Sequence, residues 1–157
     1  MRLLKVFSCG LIVALFIASG LVAAQENSAV NAGSVKRDLA DLMLVTQLRH
    51  AKLFYAGRGR NWSLAEYQLR QLDLSLKEAQ RLYSNPSAPD MAAVDLAVTA
   101  ANEAIKKKDD AGFKKSFGQI TAACNGCHAT ADRAFIAIRL PTLPSPYSNQ
   151  LFRPFER

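Results

Sequence analysis

One stretch of the chain determines how the rest is arranged, FKKSFGQITAACNGCH at residues 113–128. Its apolar residues recur at steps of three and four, which is the spacing of one face of an α-helix. They are Phe113, Phe117, Ile120 and Cys124. Cys127 or His128 continues the same face, so these side chains are predicted to face the interior of a helical protein.

The end of this stretch has the spacing C-x-x-C-H, which is typical of c-type haem attachment. Two thiols three positions apart add to the two vinyl groups of one porphyrin, and the histidine that follows is placed under the iron. The motif therefore predicts one haem c, bound covalently by Cys124 and Cys127, with His128 as the proximal iron ligand. Zinc would require about two further ligands, and outside the motif the exported chain offers only His50. A redox C-x-x-C belongs in a βαβ context, which this chain lacks.

Residues 1–24 have the pattern of a secretory signal peptide. Two basic residues precede an almost wholly apolar run from Val6 to Val22, and a small-residue cleavage site ends at Ala24. We expect cleavage near Ala24 and a periplasmic location, because this kind of haem attachment takes place outside the bacterial cytoplasm. An uncleaved anchor is the alternative, since the apolar run approaches the length that spans a bilayer.

The cysteine count and the net charge limit the classes of function that this protein can have. Removal of the signal peptide takes Cys9 away and leaves only the motif cysteines, so no structural disulfide is expected. The formal net charge of the whole chain is +7, but its basic residues are spread along the sequence. This distribution does not resemble a nucleic-acid-binding module, and it permits an acidic partner protein.

Three further amphipathic helices are predicted before the motif helix. The first covers about Ser34–Tyr55, and Gly57 and Gly59 are predicted to end it in a turn. The second starts at the capping box Ser63–Glu66 and ends near Tyr83. The third starts at Pro89, a residue suited to the first helical turn, and ends in Lys106–Lys108, cations suited to a helix C-terminus.

Four helices joined by short connections predict an all-α fold, an antiparallel four-helix bundle with a C-terminal haem motif. Asp109 or Asp110 caps the fourth helix. We expect a flexible arm at residues 25–33, a four-helix haem-binding domain at residues 34–134 and an extended tail at residues 135–157.

The tail contains four prolines, which prevent a long helix, and it is too apolar for a free disordered arm. We expect an extended Pro-rich C-terminal strap that packs over the bundle and the haem edge. A docking segment for a partner protein is the alternative.

A haem motif near the C-terminus of a four-helix bundle, behind a signal peptide, resembles the class II cytochromes c, which include cytochrome c-prime and its low-spin relatives. The resemblance covers roughly residues 34–130. It implies that Cys124 and Cys127 hold the haem and that His128 is the proximal ligand. The segment Gln47–Leu53 also resembles an uncharacterised branch of exported haem proteins, which implies no function. The tail departs from the family, whose chain stops soon after the haem helix.

Two residues are candidates for the sixth iron ligand. Met43 and His50 lie on one face of the first helix, about 10 Å apart along its axis at 1.5 Å per residue. In an antiparallel bundle the start of the first helix lies beside the end of the fourth, so Met43 is nearer the expected height of the iron. We favour Met43, with His50 as the alternative ligand or as a contact to a propionate or the haem edge. Plain core packing explains Met43 equally without ligation.

We expect a one-electron carrier that works with redox partner proteins. The alternative is a protein that binds nitric oxide or carbon monoxide at an open sixth site. We do not expect an enzyme, because peroxidase chemistry needs a distal acid–base group and His50 is the only imidazole available. No nucleic-acid partner and, after cleavage, no membrane span is expected, and a homodimer is left open.

Overall fold

The computed structural model describes residues 38–83 and 87–155. The predicted signal peptide, the predicted arm at residues 25–33 and the predicted helix start at Ser34 lie outside these residues. The described residues form four α-helices and no strand, which confirms the all-α prediction. The helices are α1 (Leu39–Arg58), α2 (Trp62–Leu82), α3 (Ala88–Lys106) and α4 (Asp110–Thr130).

The four helices pack as a bundle. The most extensive contacts join α1 to α2 and α3 to α4, while α2 packs against α3 over a smaller area and α1 meets α4 over the least. The apolar faces predicted from the helical period form one core. Its largest fully buried side chains are Leu42, Leu53, Leu72, Phe113, Phe117 and Ile120. Within the two described ranges, no helix is both long and apolar enough to cross a membrane.

Side chains cap α1, α3 and α4, and of these caps the one on α4 was predicted from the sequence. Asp109 caps α4, as predicted. Ser87 caps α3 and forms a capping box with Asp90, with Pro89 in the first turn. Asp38 caps α1. These caps satisfy backbone N–H groups that would otherwise have no partner at a helix start.

The turn between α1 and α2 differs from the prediction. Asn61, not Ser63, caps α2, because the turn is tight enough for the helix to begin at Trp62. The predicted capping box at Ser63–Glu66 is therefore wrong by two residues. Gly57 does not end α1 but is buried inside it, and Gly59 follows as the C-cap.

After α4 the chain forms neither helix nor strand as far as residue 155. It returns along the bundle to the turn between α1 and α2. On the way, the Tyr55 hydroxyl donates a hydrogen bond to the Thr142 carbonyl at 2.9 Å. Farther on, the Asn61 side-chain amide donates to the Arg153 carbonyl at 3.2 Å.

Two aromatic rings of the tail pack on the bundle. The ring centroids of Tyr147 and Phe152 lie 6.0 and 5.4 Å from that of Tyr55. The other large apolar side chains of the tail are mainly exposed, with Phe135 reaching 80%. Leu140, Leu143, Leu151 and Phe155 are also exposed. The tail is therefore held by backbone carbonyls and a few rings rather than by a continuous apolar face.

Candidate functional site

The three motif residues lie in the last two turns of α4. Cys124 is half-buried and packs against the core, while Cys127 and His128 are partly exposed. The continuous helix brings Cys124 and Cys127 one turn apart, since residues three apart share a helical face. The motif thus stands where the apolar face of α4 reaches the end of the bundle.

The surroundings of the two thiols keep them protonated. Burial, with a smaller contribution from Cys127, raises the pKa of Cys124 to about 11. Burial and the carboxylate of Asp90 raise the pKa of Cys127 as well. A redox-active or nucleophilic cysteine needs the opposite, a lowered thiol pKa. The two cysteines are also free rather than joined in a disulfide, so the site lacks the electrostatics of a thioredoxin-like centre.

The His128 imidazole is held by the tail. Its Nδ1 lies 2.6 Å from the Ile136 carbonyl oxygen. Because a carbonyl oxygen only accepts hydrogen bonds, Nδ1 carries a proton, and in the neutral ring of this tautomer Nε2 is the nitrogen with the lone pair. Metal-binding histidines typically donate their other ring N–H in this way, which sets the tautomer and the ring orientation.

Asn125, inside the motif, fastens the tail at a second point. Its side-chain N–H donates to the Ile138 carbonyl at 2.9 Å, and its Oδ1 accepts from the Ile138 N–H at 2.7 Å. The sequence alone assigns no role to Asn125, and this contact was not predicted. The only signal for it was an amide side chain, which can donate and accept at once.

His50 is buried between α1 and α4. Its ring centroid lies 4.5 Å from that of Phe117, and its Nε2 lies 2.8 Å from the Thr121 hydroxyl. The Thr121 hydroxyl donates to the Phe117 carbonyl at 3.0 Å, so it accepts from His50 Nε2–H. Burial lowers the pKa of His50 to about 4, which keeps the ring neutral at neutral pH. To bind iron through Nε2, His50 would have to leave Thr121.

Met43 lies toward the motif end of the α1–α4 face. The contact between His50 and Thr121 sets an antiparallel register. Seven residues separate His50 from Met43, and seven separate Thr121 from His128, about 10 Å on each helix. The same register therefore brings Met43 to the level of His128. Met43 is half-buried and packs against the core.

Met91 is a second methionine near this end of the bundle, and the sequence interpretation did not consider it. The Thr130 hydroxyl donates to the Asp90 carboxylate at 3.0 Å, which brings the start of α3 beside the end of α4. Met91 follows Asp90 and is 4% exposed within the core. The signal that could have found it was its place at the start of the third predicted helix.

The residues present fit a covalent haem. Among the described residues no group of three or more His, Cys, Asp and Glu side chains is arranged to hold a bare metal ion. A covalent haem requires fewer protein groups than a bare metal ion: two thiols one helical turn apart and one imidazole. Cys124 and Cys127 meet the first requirement, and His128 meets the second with Nδ1 engaged by Ile136 and Nε2 left as the ring nitrogen for iron.

No family model, curated protein or solved structure matches this chain. The resemblance to the class II cytochromes c therefore stays a prediction, and the function is inferred from the motif and its surroundings.

Proposed function

We propose that this chain is an exported c-type cytochrome that carries single electrons on one covalent haem. Cys124 and Cys127 attach the haem, and His128 binds the iron through Nε2. The observation that carries the proposal is the hydrogen bond from His128 Nδ1 to the Ile136 carbonyl, beside two protonated thiols on the same helix. That combination suits an iron-binding imidazole and does not suit a disulfide oxidoreductase.

The bound haem supplies an iron that alternates between the ferrous and ferric states. The chain supplies the rest. Cys124 packs against the core, His128 presents an imidazole oriented by the Ile136 carbonyl, and the apolar faces of the helices border the motif on the side of Cys124. A low-dielectric surrounding of this kind, together with the axial ligands, sets the reduction potential.

For the sixth ligand we propose Met43. Its height on α1 relative to His128 supports this assignment, and so does the engagement of His50 with Thr121. A thioether favours ferrous iron and raises the reduction potential, which suits a carrier. His50, one turn from Cys124 in the same register, is then a neutral polar residue near the haem edge rather than a ligand.

We propose that the tail, from residue 135 onward, is a strap over the face between α1 and α4. Its hydrogen bonds to Asn125, Tyr55 and Asn61 support this reading, because they follow the bundle from the motif to the opposite end. The alternative of a docking segment draws on the exposed side chains of Phe135 and Phe155.

The first experiment tests covalent attachment in protein exported to the bacterial periplasm together with the haem-attachment machinery. We expect haem to stay with the wild-type protein after extraction with acidified organic solvent. The double variant Cys124→Ala/Cys127→Ala should release it. Cys9→Ala is the matched control, since it removes a cysteine from the predicted signal peptide and should leave attachment intact. Extractable haem in the wild type would overturn the proposal.

The second experiment identifies the sixth ligand from absorption spectra in both oxidation states. We expect Met43→Ala to convert low-spin iron to high-spin, to open the site to carbon monoxide and to lower the reduction potential. Met91→Ala is the matched control, because it removes the same side chain from the same core, and it should leave the spin state unchanged.

Other results of this experiment point to other assignments. Loss of the low-spin spectrum in His50→Ala alone would indicate two histidine ligands, and loss in Met91→Ala alone would indicate that methionine. If the wild-type iron is already five-coordinate, the gas-binding function replaces the electron carrier.

A further inference from the structure

The motif and the tail are joined by three hydrogen bonds within a few residues. His128 Nδ1 donates to Ile136, while Asn125 both donates to and accepts from Ile138. Asn125 and His128 lie three residues apart on α4, and Ile136 and Ile138 lie two apart on a chain segment without helix or strand. Two residues on one face of α4 are thus hydrogen-bonded to one short segment of the tail backbone.

Hydrogen bonds hold this part of the tail on both sides of the Ile136 carbonyl. On the α4 side the Ile136 N–H donates to the Arg133 carbonyl at 2.8 Å, and beyond the carbonyl Asn125 holds Ile138. Ile136 is 43% exposed and Phe135 is 80% exposed, so little apolar packing keeps the Ile136 carbonyl in place. A single exposed hydrogen bond competes with water and contributes little by itself. A paired contact to the N–H and C=O of Ile138 restrains the backbone on both sides of that residue.

We propose that Asn125 is a positioning residue for the proximal histidine. Its two hydrogen bonds to the Ile138 backbone, here called the clamp, keep the Ile136 carbonyl against His128 Nδ1. The hydrogen bond from Nδ1 to that carbonyl selects the tautomer and orients the ring. This inference rests on the proposed haem attachment and adds a role for the residue between the cysteines and for the start of the tail.

The clamp has a direct consequence for the iron. An imidazole that donates its Nδ1–H to a carbonyl is a stronger electron donor at Nε2. A stronger donor stabilises the ferric state, so the clamp lowers the reduction potential. When the clamp is released, water replaces the carbonyl in some molecules, and the potential shifts upward.

The test measures the reduction potential and the iron–histidine stretching frequency of the ferrous, carbon-monoxide-free protein by resonance Raman spectroscopy. Because a sixth ligand hides that stretch, both measurements use the Met43→Ala background, where we expect five-coordinate ferrous iron. We expect Asn125→Ala to raise the potential and to lower and broaden the stretching band. Asn125→Asp keeps the acceptor for the Ile138 N–H but loses the donor, so it should shift the stretching band by a smaller amount. Its potential is not compared, because the new negative charge lowers the potential by itself.

Gly126→Ala is the matched control inside the motif. A Cβ at Gly126 would meet nothing within 4 Å, so this variant changes the same motif without touching the tail. Both readouts should match those of the unchanged motif. If Gly126→Ala shifts them as far as Asn125→Ala does, the effect belongs to the motif sequence rather than to the clamp, and the inference is wrong.

Two shortened chains separate the clamp from the rest of the tail. A chain that ends after Ala134 lacks Ile136 and Ile138 and should reproduce the shifts of Asn125→Ala. A chain that ends after Leu140 keeps both residues while losing the contacts of Tyr147 and Phe152 with Tyr55. It should keep the original potential even if it unfolds more easily.

The outcomes distinguish the two proposals. Haem-loaded Asn125→Ala with an unchanged potential and stretching band overturns the role of Asn125 and leaves the cytochrome proposal in place. Wild-type protein without covalent haem overturns both. Shifts in Asn125→Ala and in the chain ending at Ala134, without shifts in Gly126→Ala and the chain ending at Leu140, support the inference.

Discussion

The two halves of the face between α1 and α4 are closed in different ways. In the half near the α1–α2 turn, side chains of the two helices meet directly, with Gly57 against Phe113 and His50 against Phe117. In the half near the motif, the tail backbone is bonded to Asn125 and His128. One half is closed by packed side chains, and in the other the tail backbone lies against α4.

The packing of the half near the α1–α2 turn depends on the absence of a side chain at Gly57. Phe113 lies 1% exposed against Gly57, where a Cβ would overlap its ring. Phe54 adds a ring contact to Phe117 at 5.4 Å between centroids. The rings fill this half completely enough that the two helices touch, which makes it the rigid part of the face.

The motif half is lined by small residues. Between Thr121 and His128 the sequence is Ala-Ala-Cys-Asn-Gly-Cys, which leaves α4 without a bulky side chain for two turns. Small side chains on α4 leave this half without the ring packing of the other half, and a flat prosthetic group attached at the motif, as proposed, would lie beside them. The two halves differ because large rings fill one and small residues line the other.

The largest expected effect is that of losing the haem. In Cys124→Ala/Cys127→Ala without haem we expect an expanded protein that keeps helical content but loses tertiary packing. Amide hydrogen exchange should become fast first near the motif and last near Phe113. Cooperative melting with dispersed side-chain resonances in the haem-free protein would show that the motif half needs no cofactor.

Lowering the pH should lower the free energy of unfolding, because His50 is buried in the packed half. The pKa of His50 is about 4 in the folded protein and about 6.5 in the unfolded chain, because burial disfavours the charged ring. The unfolded state therefore takes up a proton first as the pH falls. The free energy of unfolding should decrease between pH 6.5 and 4, by about 3 kcal/mol in total.

The control for the acid effect is His50→Gln, which keeps a donor for Thr121 but does not titrate in this range. Urea unfolding of both proteins at several pH values isolates the histidine, since all carboxylates are common to the two. Parallel pH profiles would mean that the ring is accessible to protons in the folded state.

Gly57→Ala should destabilise the packed half by about 1–3 kcal/mol, because Phe113 must move from its buried position to admit the new methyl group. Gly118→Ala in α4 is the matched control. Its Cβ would meet nothing within 4 Å, so it should stabilise the helix by about 0.5–1 kcal/mol. Thermal or urea unfolding measures both. Equal effects would contradict the close approach of α1 and α4.

The smallest expected effect is at the strap. Tyr55→Phe removes the hydrogen bond to the Thr142 carbonyl and keeps the ring that contacts Tyr147 and Phe152. We expect a loss of about 1 kcal/mol and faster proteolysis of the tail, with no change at the haem. An unchanged rate of tail cleavage would show that the rings alone hold this segment.

Much of the bundle follows from local chemistry. The helical period of Phe113, Phe117 and Ile120 predicts their burial, and the structure buries all three. Asp109 caps α4 because its side chain accepts hydrogen bonds from the free N–H groups at the start of the helix. This contact does not depend on how the helix packs. The C-x-x-C-H motif is equally local, so it predicts haem attachment before the fold is known.

The sequence by itself therefore determined the four helices and their apolar faces, and its C-x-x-C-H motif predicts haem attachment. Only the tertiary structure decided that Gly57 is buried against Phe113, that Asn61 is bonded to Arg153, and that Asn125 and His128 hold the tail. The physical reason is the distance along the sequence between the residues that make each contact. Period and capping depend on residues within one or two turns, whereas these other contacts join residues that only the packed bundle brings together.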